Sequence, residues 1–313
     1  MKEIILHLLV CPTCLPREEN LSCSSDEKVR DDIITGFLTC PRCNARYPIA
    51  DGIAFVIPKN EFTENSSSNK YESDNILSSY VWSHFGDLMK DEDANTSYGK
   101  WSEIISPASG FALDAGCAVG RFTYEMSTKF DFAIGVDNSK AFINMARRLM
   151  NDRKTEVVLN EEGFLVEHKL LELPECWDSK KVEFIVGDIQ CLPFKKNAFS
   201  FTSSLNLIDR ISKPLMHLEE INRVSKTENA QLLFSDPFSW SQDIASEEDW
   251  LGGTEEGSFS GKGLDNVSEL LEGEGGKILP SWNIKKSGST WWKIRNHRNH
   301  FELIRSCFLK AER

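Results

Sequence analysis

Five short apolar segments recur along the chain after residue 110, and more polar stretches separate them. The apolar segments span residues 111–113, 132–136, 182–188, 199–206 and 231–235. Each has the length of a buried β-strand, and the stretch 213–225 between the last two has a helical pattern. Repeated β–α units place parallel strands between layers of helices. The pattern therefore predicts an α/β fold with a doubly wound, mostly parallel, Rossmann-like sheet.

The chain ahead of these strands divides into parts of different composition. Residues 1–58 contain two closely spaced cysteine pairs and are predicted to form a small β-rich domain. Residues 59–70 are polar and rich in Ser and Asn, which predicts a linker. Residues 71–105 hold several aromatic side chains among polar ones. They are predicted to form one or two helices that cap the larger domain, which spans 71–313.

Composition and charge narrow the possible functions. The chain has 313 residues, of which 40% are hydrophobic, and a formal net charge of −12. This acidic balance argues against a broad nucleic-acid surface, which usually carries a basic stripe. No apolar run reaches the roughly 20 residues of a membrane-spanning helix. Nine cysteines without a credible export signal predict a reducing, cytoplasmic location.

Two cysteine pairs with a two-residue gap stand out in the first sixty residues. Cys11 and Cys14 form one pair, and Cys40 and Cys43 form the other. Each gap lets both thiolates reach one ion, and four thiolates satisfy tetrahedral zinc. The alternative is four unligated cysteines, or a redox pair. We favour structural zinc, with Cys23 as a free thiol.

The text around these pairs, LLVCPTC and GFLTCPRCNARYPIADGIAFVIP, matches a known pattern. It resembles the small zinc-ribbon proteins that serve as activator subunits of methyltransferases. The resemblance covers residues 1 to about 58. It implies a structural metal in a closed four-cysteine site, which leaves no open position for a substrate. It also implies a docking surface, and therefore a possible protein partner.

A glycine turn follows the first apolar segment of the larger domain. The text DAGCAVGR supplies Asp114, Gly116 and Gly120, and Asp137 ends the next strand. Glycine lets the backbone approach a ligand closely, and an acid at that strand end can bind ribose hydroxyls. The G-x-x-x-G spacing departs from the dinucleotide pattern, and Asp114 suits a cationic amino group. We therefore expect S-adenosylmethionine rather than NAD.

The third strand ends in Gly-Asp, which adds a further cofactor contact. Asp188 is placed to accept a hydrogen bond from an adenine amino group, with Ile189 beside the ring. Ligands of open α/β sheets bind at the carboxyl ends of the strands. Arg121 either binds the cofactor carboxylate or lies on a helix surface. Together these features resemble a class I S-adenosylmethionine-dependent methyltransferase.

A narrower resemblance extends, with interruptions, over about residues 80–310. The matching text includes ALDAGCAVGRFTYEMS, IGVDNSKAFINMARRL, LNLIDRISKP, LFSDPFSW and KIRNHRNHF. It is similar to the methyltransferase domain of ovothiol synthases, which N-methylates a mercaptohistidine. The sulfoxide-synthase portion of that family is absent from this sequence, and a zinc ribbon precedes the methyltransferase text. The resemblance therefore implies the methylation chemistry more directly than it implies the substrate.

Candidate acceptor residues lie past the fourth and fifth strands. Asn206 and Asp209 are predicted to position the nucleophile, with capping or ion pairing as the structural alternative for Asp209. Arg210 and Trp240 are predicted to contact the substrate. Residues 250–253 are predicted to form a lid.

Near the C-terminal end, Arg295 and Arg298 alternate with two histidines. Arginine matches a carboxylate bidentately, so both are predicted to bind a substrate carboxylate. The alternative is a solvated strand face.

The predicted function is methyl transfer to a nitrogen or sulfur atom of a small molecule. A mercaptohistidine-like thiol-imidazole is the leading acceptor. The cofactor is already activated, so the enzyme mainly aligns the reacting atoms and excludes water. The alternative is methylation of a protein or RNA, with the ribbon as docking module. A non-catalytic scaffold and an NAD-dependent oxidoreductase are less favoured.

Overall fold

The computed structural model of the chain describes residues 1–58 and 70–313. The predicted linker therefore lies almost entirely outside the described residues. The strands, in chain order, are β1 (Ser22–Val29), β2 (Asp32–Thr39), β3 (Arg46–Ala50), β4 (Ile53–Val56), β5 (Phe111–Ala115), β6 (Phe132–Asp137), β7 (Lys154–Glu162), β8 (Leu165–Glu172), β9 (Val182–Gly187), β10 (Phe199–Leu205), β11 (Gln231–Asp236), β12 (Asn283–His297) and β13 (His300–Glu312).

Helices fill most of the connections between these strands. The α-helices are α1 (Asp74–Phe85), α2 (Ser97–Glu103), α3 (Arg121–Met126), α4 (Lys140–Asp152), α5 (Pro214–Val224) and α6 (Gly263–Leu271). Short 3-10 helices span Glu3–Leu8, Pro12–Cys14, Lys70–Glu72, Ser179–Lys181, Ile208–Arg210, Glu247–Asp249 and Glu274–Gly276. No helix in the described ranges is both long and apolar enough to cross a membrane.

The strands form one large mixed sheet and one separate hairpin. The large sheet has the order β1-β2-β3-β4-β9-β6-β5-β10-β11-β13-β12, and β7 pairs only with β8. The neighbours from β4 through β11 run parallel, whereas the outer strands on both sides are antiparallel. The predicted doubly wound, mostly parallel sheet is confirmed, and so is the β-rich N-terminal region.

Alternate residues of the central strands point to opposite faces of the sheet, and each face is covered by helices. Leu113 and Ile134 belong to a core shared with α5 and α6. Ala112 and Phe184 belong to a second core shared with α1, α2, α3 and α4. Both faces are thus buried, which explains why the central strands read as continuous apolar runs rather than as an alternation.

The cysteine-bearing region is joined to the main sheet through its last strand. Phe55 lies opposite Val186, and Val56 lies opposite Gly187, in a parallel pairing of β4 with β9. The small domain therefore extends the catalytic sheet by four strands within the same chain. Its apolar side chains share a core with residues of the large domain such as Phe194.

A buried ionic cluster strengthens this junction. Arg147 of α4 is 3% exposed and donates from Nη2 to Asp32 of the small domain at 2.8 Å. It also donates from Nη1 to Glu183, which is 0% exposed. Glu183 accepts a second hydrogen bond from the backbone N–H of Lys2. One guanidinium thus connects both domains, a contact that no spacing of residues along the chain predicts.

The segment 71–105 covers the end of the sheet, as predicted. Helix α1 begins at a capped turn, where Ser73 Oγ accepts from the N–H of Ile76 at 3.4 Å. Ser83 of α1 donates to the carbonyl of Lys293 at 2.6 Å, and Ser97 of α2 donates to the carbonyl of Trp291 at 2.5 Å. The long β12–β13 hairpin therefore holds both capping helices in place.

Candidate active site and zinc centre

A cavity lies at the carboxyl ends of β5, β6, β9 and β10. Its walls are the turns after these strands, together with side chains from α1, α2 and β12. The position is where open α/β sheets bind ligands.

The two glycines of the predicted turn have different surroundings. Gly116 has a φ of +74° and lines the cavity. A Cβ there would lie 2.6 Å from Cδ2 of Leu207, so only glycine leaves this wall open. Gly120 has a φ of +87°, and its Cβ would lie 2.6 Å from Cε1 of Phe184. Gly120 lies outside the cavity lining, where its small size allows α3 to pack on β9.

Two carboxylates face the cavity, of which Asp114 is buried and Asp137 is half-buried. Asp114 accepts from the hydroxyls of Thr123 at 2.8 Å and Ser203 at 2.9 Å. Asp137 accepts from the backbone N–H of Ala118 and of Ser139, each at 2.9 Å. Desolvation raises the pKa of Asp114 and of Asp137 to about 6. Both carboxyls are therefore largely ionised at neutral pH and can accept hydrogen bonds from a cationic ligand.

The end of β9 completes this side of the cavity. Asp188 and Ile189 line it, and the Asp188 carboxylate accepts from the N–H of Gln190 at 2.8 Å. The carbonyl of Ile189 is held by His217 Nδ1 at 3.1 Å, and Nε2 of that ring lies 2.9 Å from Ser204 Oγ. Burial lowers the pKa of His217 to about 4, so this buried ring is a neutral brace.

The run after β10 brings only part of the predicted acceptor set to the cavity. Asn206 and Arg210 line it. Asn206 has a φ of +54°, and its side-chain Oδ1 is buried without a hydrogen-bond partner among the described residues. Asp209 lies behind this wall, where its Oδ2 accepts from the N–H of Ser239 at 2.9 Å. Its Oδ1 lies 3.3 Å from Nε of Arg210.

Two predicted substrate residues, Trp240 and Arg295, lie outside the cavity lining. Trp240 stacks on Trp250 with ring centroids 6.1 Å apart, so the 250–253 segment packs against Trp240 instead of covering the cavity. Arg295 is 3% exposed and pairs with Asp91 at 3.2 Å and Glu161 at 2.8 Å, a buried position rather than a solvated face.

Two further arginines that the sequence analysis considered as ligand-binding residues make ion pairs outside the cavity lining. Arg298 is exposed and lies 3.7 Å from Glu161. Arg121 is buried and pairs with Asp87 at 2.7 Å and with Glu125 at 2.8 Å. Arg121 is therefore neither on a helix surface nor in the lining of the cavity.

Several cavity residues escaped the sequence analysis. His84, Tyr71 and Phe142 line the cavity, and so does Trp292 of the C-terminal hairpin. Tyr80 and Tyr98 also line it, and they were noted only as aromatic members of capping helices. The aromatic side chains within residues 71–105 are the one feature of the sequence that indicated this wall of the cavity. The contribution of Trp292 depends on a contact between segments about 200 residues apart.

The four paired cysteines form the one group of potential metal ligands found within the described ranges. Their Sγ atoms all lie within 4.8 Å of one another, with Cys11 3.6 Å from Cys43 and Cys14 3.8 Å from Cys40. A tetrahedral zinc site with bonds of about 2.3 Å places its sulfurs about 3.8 Å apart. The thiol cluster therefore has the composition and size of a structural zinc site.

The cavity also fits a sulfonium-bearing nucleoside. Asp114, Asp137 and Asp188 offer acceptors for an amino group, ribose hydroxyls and an exocyclic amine. The cradle at Gly116 admits close approach of a ligand to the backbone.

Comparison with known sequences identifies both regions. Residues 113–230 match the family described as "Methyltransferase domain". Residues 113–230 therefore form the methyltransferase domain of an S-adenosylmethionine-dependent enzyme. Residues 2–52 of the enzyme match the family described as "Trm112p-like protein". No curated protein sequence matches the enzyme significantly.

Solved structures give more distant matches. One is the complex between the Trm112 methyltransferase activator of Haloferax volcanii and a methyltransferase, with 13% identity and a TM-score of 0.45. That match covers 79% of this chain and 99% of the other. Another is an S-adenosylmethionine-dependent methyltransferase from Methanosarcina mazei, with 15% identity, a TM-score of 0.44 and coverage of 71% and 98%. These similarities are too distant to carry an argument about the acceptor.

Proposed function

We propose that the enzyme methylates a nitrogen or sulfur atom of a small molecule, of the class that a mercaptohistidine represents. The observation that carries this proposal is the aromatic wall that α1, α2 and β12 contribute to the cavity. Tyr80, Tyr98 and Trp292 from these elements line it beside the glycine turn. Such an aromatic wall favours a small, flat acceptor.

The roles of individual residues follow from their positions. We assign Asp114, Asp137 and Asp188 to the cofactor, together with Gly116 and Ile189. Gly120 supports this site by letting α3 approach the sheet.

On the acceptor side, we propose that Asn206 positions the nucleophilic atom of the acceptor and that Arg210 binds a carboxylate of the acceptor. Asp209 orients Arg210 through their ion pair and so is a positioning residue. Trp240, Arg295 and Arg298 are assigned no contact, because they lie outside the cavity lining.

S-adenosylmethionine, when bound, supplies a methyl group that is already activated by attachment to a sulfonium. With the cofactor held at Asp114, Asp137 and Asp188, a lone pair of the acceptor would form the new bond to carbon as the carbon–sulfur bond broke, and the acceptor's N–H or S–H proton would pass to bulk solvent on product release. The residues of this chain align the acceptor and exclude solvent from the reacting atoms. Buried aromatic walls serve the second purpose.

A second candidate function is methylation of a protein or RNA, which the Trm112p-like region favours. Against this candidate, strand β4 of that region is already paired with β9 of its own chain. We therefore propose that the region of residues 1–58 supports the catalytic region 71–313 in cis, in a cytoplasmic enzyme. A protein partner would have to use another face of the ribbon.

The decisive experiment combines the protein, S-adenosylmethionine and mercaptohistidine, and detects a mass gain of one methyl group by mass spectrometry. Arg210→Gln is expected to raise the KM for mercaptohistidine about tenfold or more, because a charge-assisted hydrogen bond is lost. Arg298→Gln, on the exposed hairpin turn, is the matched control and should keep the wild-type KM. A protein that binds the cofactor but gives no methylated product would favour the second candidate.

A further inference from the structure

The cavity wall contains a buried histidine whose second ring nitrogen has no partner. His84 lies in the last turn of α1, and its side chain lines the cavity. Its Nε2 lies 2.8 Å from the hydroxyl of Tyr98, and the two ring centroids are 4.5 Å apart. Within the described residues, Nδ1 of His84 is buried and makes no hydrogen bond. Such orphaned buried atoms are rare in folded proteins.

A second orphaned atom lies in the lining of the same cavity. The Oδ1 of Asn206 is also buried without a partner among the described residues. The two atoms come from α1 and from the turn after β10, which are far apart in the sequence. A polar group left unpaired in this way costs about 1–3 kcal/mol unless a ligand satisfies it. Both residues line the same cavity, so a ligand there with hydrogen-bonding groups on two sides would supply the missing partners.

We infer that Nδ1 of His84 makes a hydrogen bond to the methyl acceptor and thereby selects acceptors with a polar ring or thiol group. The proposed function already assigns Asp114, Asp137 and Asp188 to the polar groups of the cofactor, which leaves His84 for the acceptor. The inference rests on the proposed function, because it names the substrate contact of the same site.

The electrostatics of the site agree with a neutral His84 ring as the group that contacts the acceptor. Burial, with the nearby Arg121 guanidinium, lowers the pKa of His84 to about 3, so the ring is neutral at physiological pH. A charged imidazolium would repel the sulfonium of the cofactor, whereas a neutral ring does not.

The rings around His84 favour a flat acceptor. Tyr80 lies 5.9 Å from the His84 ring and 6.3 Å from Trp292, measured between ring centroids. These spacings are typical of interacting aromatic pairs. An imidazole or a similar heteroaromatic ring would find stacking surfaces here, together with the hydrogen bond from His84.

Two conservative variants separate substrate binding from a structural role. Asparagine places its amide atoms near the position of Nδ1, and glutamine places them near Nε2. We expect His84→Asn to keep the KM for mercaptohistidine within about threefold of wild type. We expect His84→Gln, which keeps the contact to Tyr98, to raise that KM about tenfold or more. The opposite order would mean that the Tyr98 contact is what matters, and would overturn the inference.

A binding measurement that does not depend on turnover completes the test. The ring nitrogens of His84 are followed by NMR in protein labelled with 15N-histidine, with His84→Asn used for assignment. We expect the Nδ1 signal to move when mercaptohistidine is added to the complex with S-adenosylhomocysteine. A shift on addition of S-adenosylhomocysteine alone would assign this atom to the cofactor and overturn the inference.

The two proposals fail in different ways. If wild-type protein methylates mercaptohistidine but the Nδ1 signal does not move, the inference is wrong and the proposed function stands. If wild-type protein binds S-adenosylhomocysteine but neither binds nor methylates mercaptohistidine, the proposed acceptor is wrong, and the inference falls with it.

Discussion

At the scale of single residues, two carboxylates in the cavity wall are the ones that we assign to the cofactor. Asp114 is buried and Asp137 is half-buried, and desolvation raises the pKa of each to about 6. Their ionised forms are the ones that attract a cationic amino group and accept from ribose hydroxyls. Binding of the cofactor is therefore coupled to loss of protons near pH 6.

This coupling predicts that cofactor affinity rises with pH through about 6. Between pH 5 and pH 7 we expect the Kd of S-adenosylmethionine to fall about tenfold or more, because both carboxyls become ionised over that interval. Isothermal titration calorimetry at several pH values measures this directly. Asp114→Asn should weaken binding at pH 7 and flatten the profile. The exposed Asp243→Asn is the control, and an equally steep profile for both variants would contradict the assignment of Asp114.

Gly120 gives a prediction about stability at the same scale. Alanine at this position must adopt a φ of +87° and place a methyl group 2.6 Å from the Phe184 ring. We expect Gly120→Ala to lower the free energy of unfolding by about 2–4 kcal/mol, from backbone strain and overpacking. Chemical denaturation measures the change.

The matched control for Gly120 is Gly99, which lies in α2. A Cβ added at Gly99 would have no atom within 4 Å outside its own helix backbone and chain neighbours. Gly99→Ala should be neutral or should stabilise the protein by up to about 1 kcal/mol. A harmless Gly120→Ala would mean that α3 can move away from the sheet without cost.

At the scale of elements, the packing of α4 on β9 is organised by one buried ion pair. Arg147→Met would leave the buried carboxylate of Glu183 without its guanidinium partner. We expect a loss of about 3–5 kcal/mol in unfolding free energy, because an uncompensated charge would remain buried. Arg148→Met, at the exposed neighbouring position, should stay within about 0.5 kcal/mol. Comparable losses in both variants would assign the effect to the helix surface.

The double variant Arg147→Met with Glu183→Gln sharpens this test. Removing both charges should cost less than removing Arg147 alone, because no unpaired ion remains. A double variant that is as unstable as the sum of the two single variants would indicate that the pair does not interact energetically.

The elements differ in how far the sequence specifies them. The central strands were predictable because burial on both faces makes each a short apolar run, and the glycine turn was predictable from Gly116 and Gly120. The pairing of β4 with β9 was not, because a parallel contact between distant segments leaves no periodic signal. The sequence analysis likewise predicted that Arg295 binds a substrate carboxylate. In the fold it pairs with Asp91 and Glu161 instead, and these contacts between distant segments also leave no periodic signal.

The residues of the candidate active site also differ in how far the sequence indicates them. Residues that follow directly from a strand end, such as Asp137 and Asp188, were found from their position alone. His84 and Trp292 reach the cavity from a helix before the sheet and a hairpin after it. Only the tertiary fold brings those two segments together, so the sequence did not indicate that His84 and Trp292 line the cavity.

At the scale of the whole molecule, the zinc region and the cofactor site share one sheet. Strand β4 pairs with β9 up to Gly187, and Asp188 and Ile189 follow immediately in the cavity wall. A structural metal that fixes the ribbon also holds β4, and so supports the strand from which these two residues, which we assign to the cofactor, extend. The zinc site can therefore influence cofactor binding without any contact to the cofactor.

Removal of zinc should accordingly weaken cofactor binding. We expect one zinc ion per chain by elemental analysis, and an increase of about tenfold in the Kd of S-adenosylhomocysteine after chelation. Cys40→Ser should reproduce the effect, whereas Cys23→Ser, at an exposed cysteine outside the cluster, should not. If the zinc-free protein kept its affinity while its melting temperature fell, β9 would hold its position without β4. The ribbon would then stabilise the fold as a whole but leave the cofactor site independent of it.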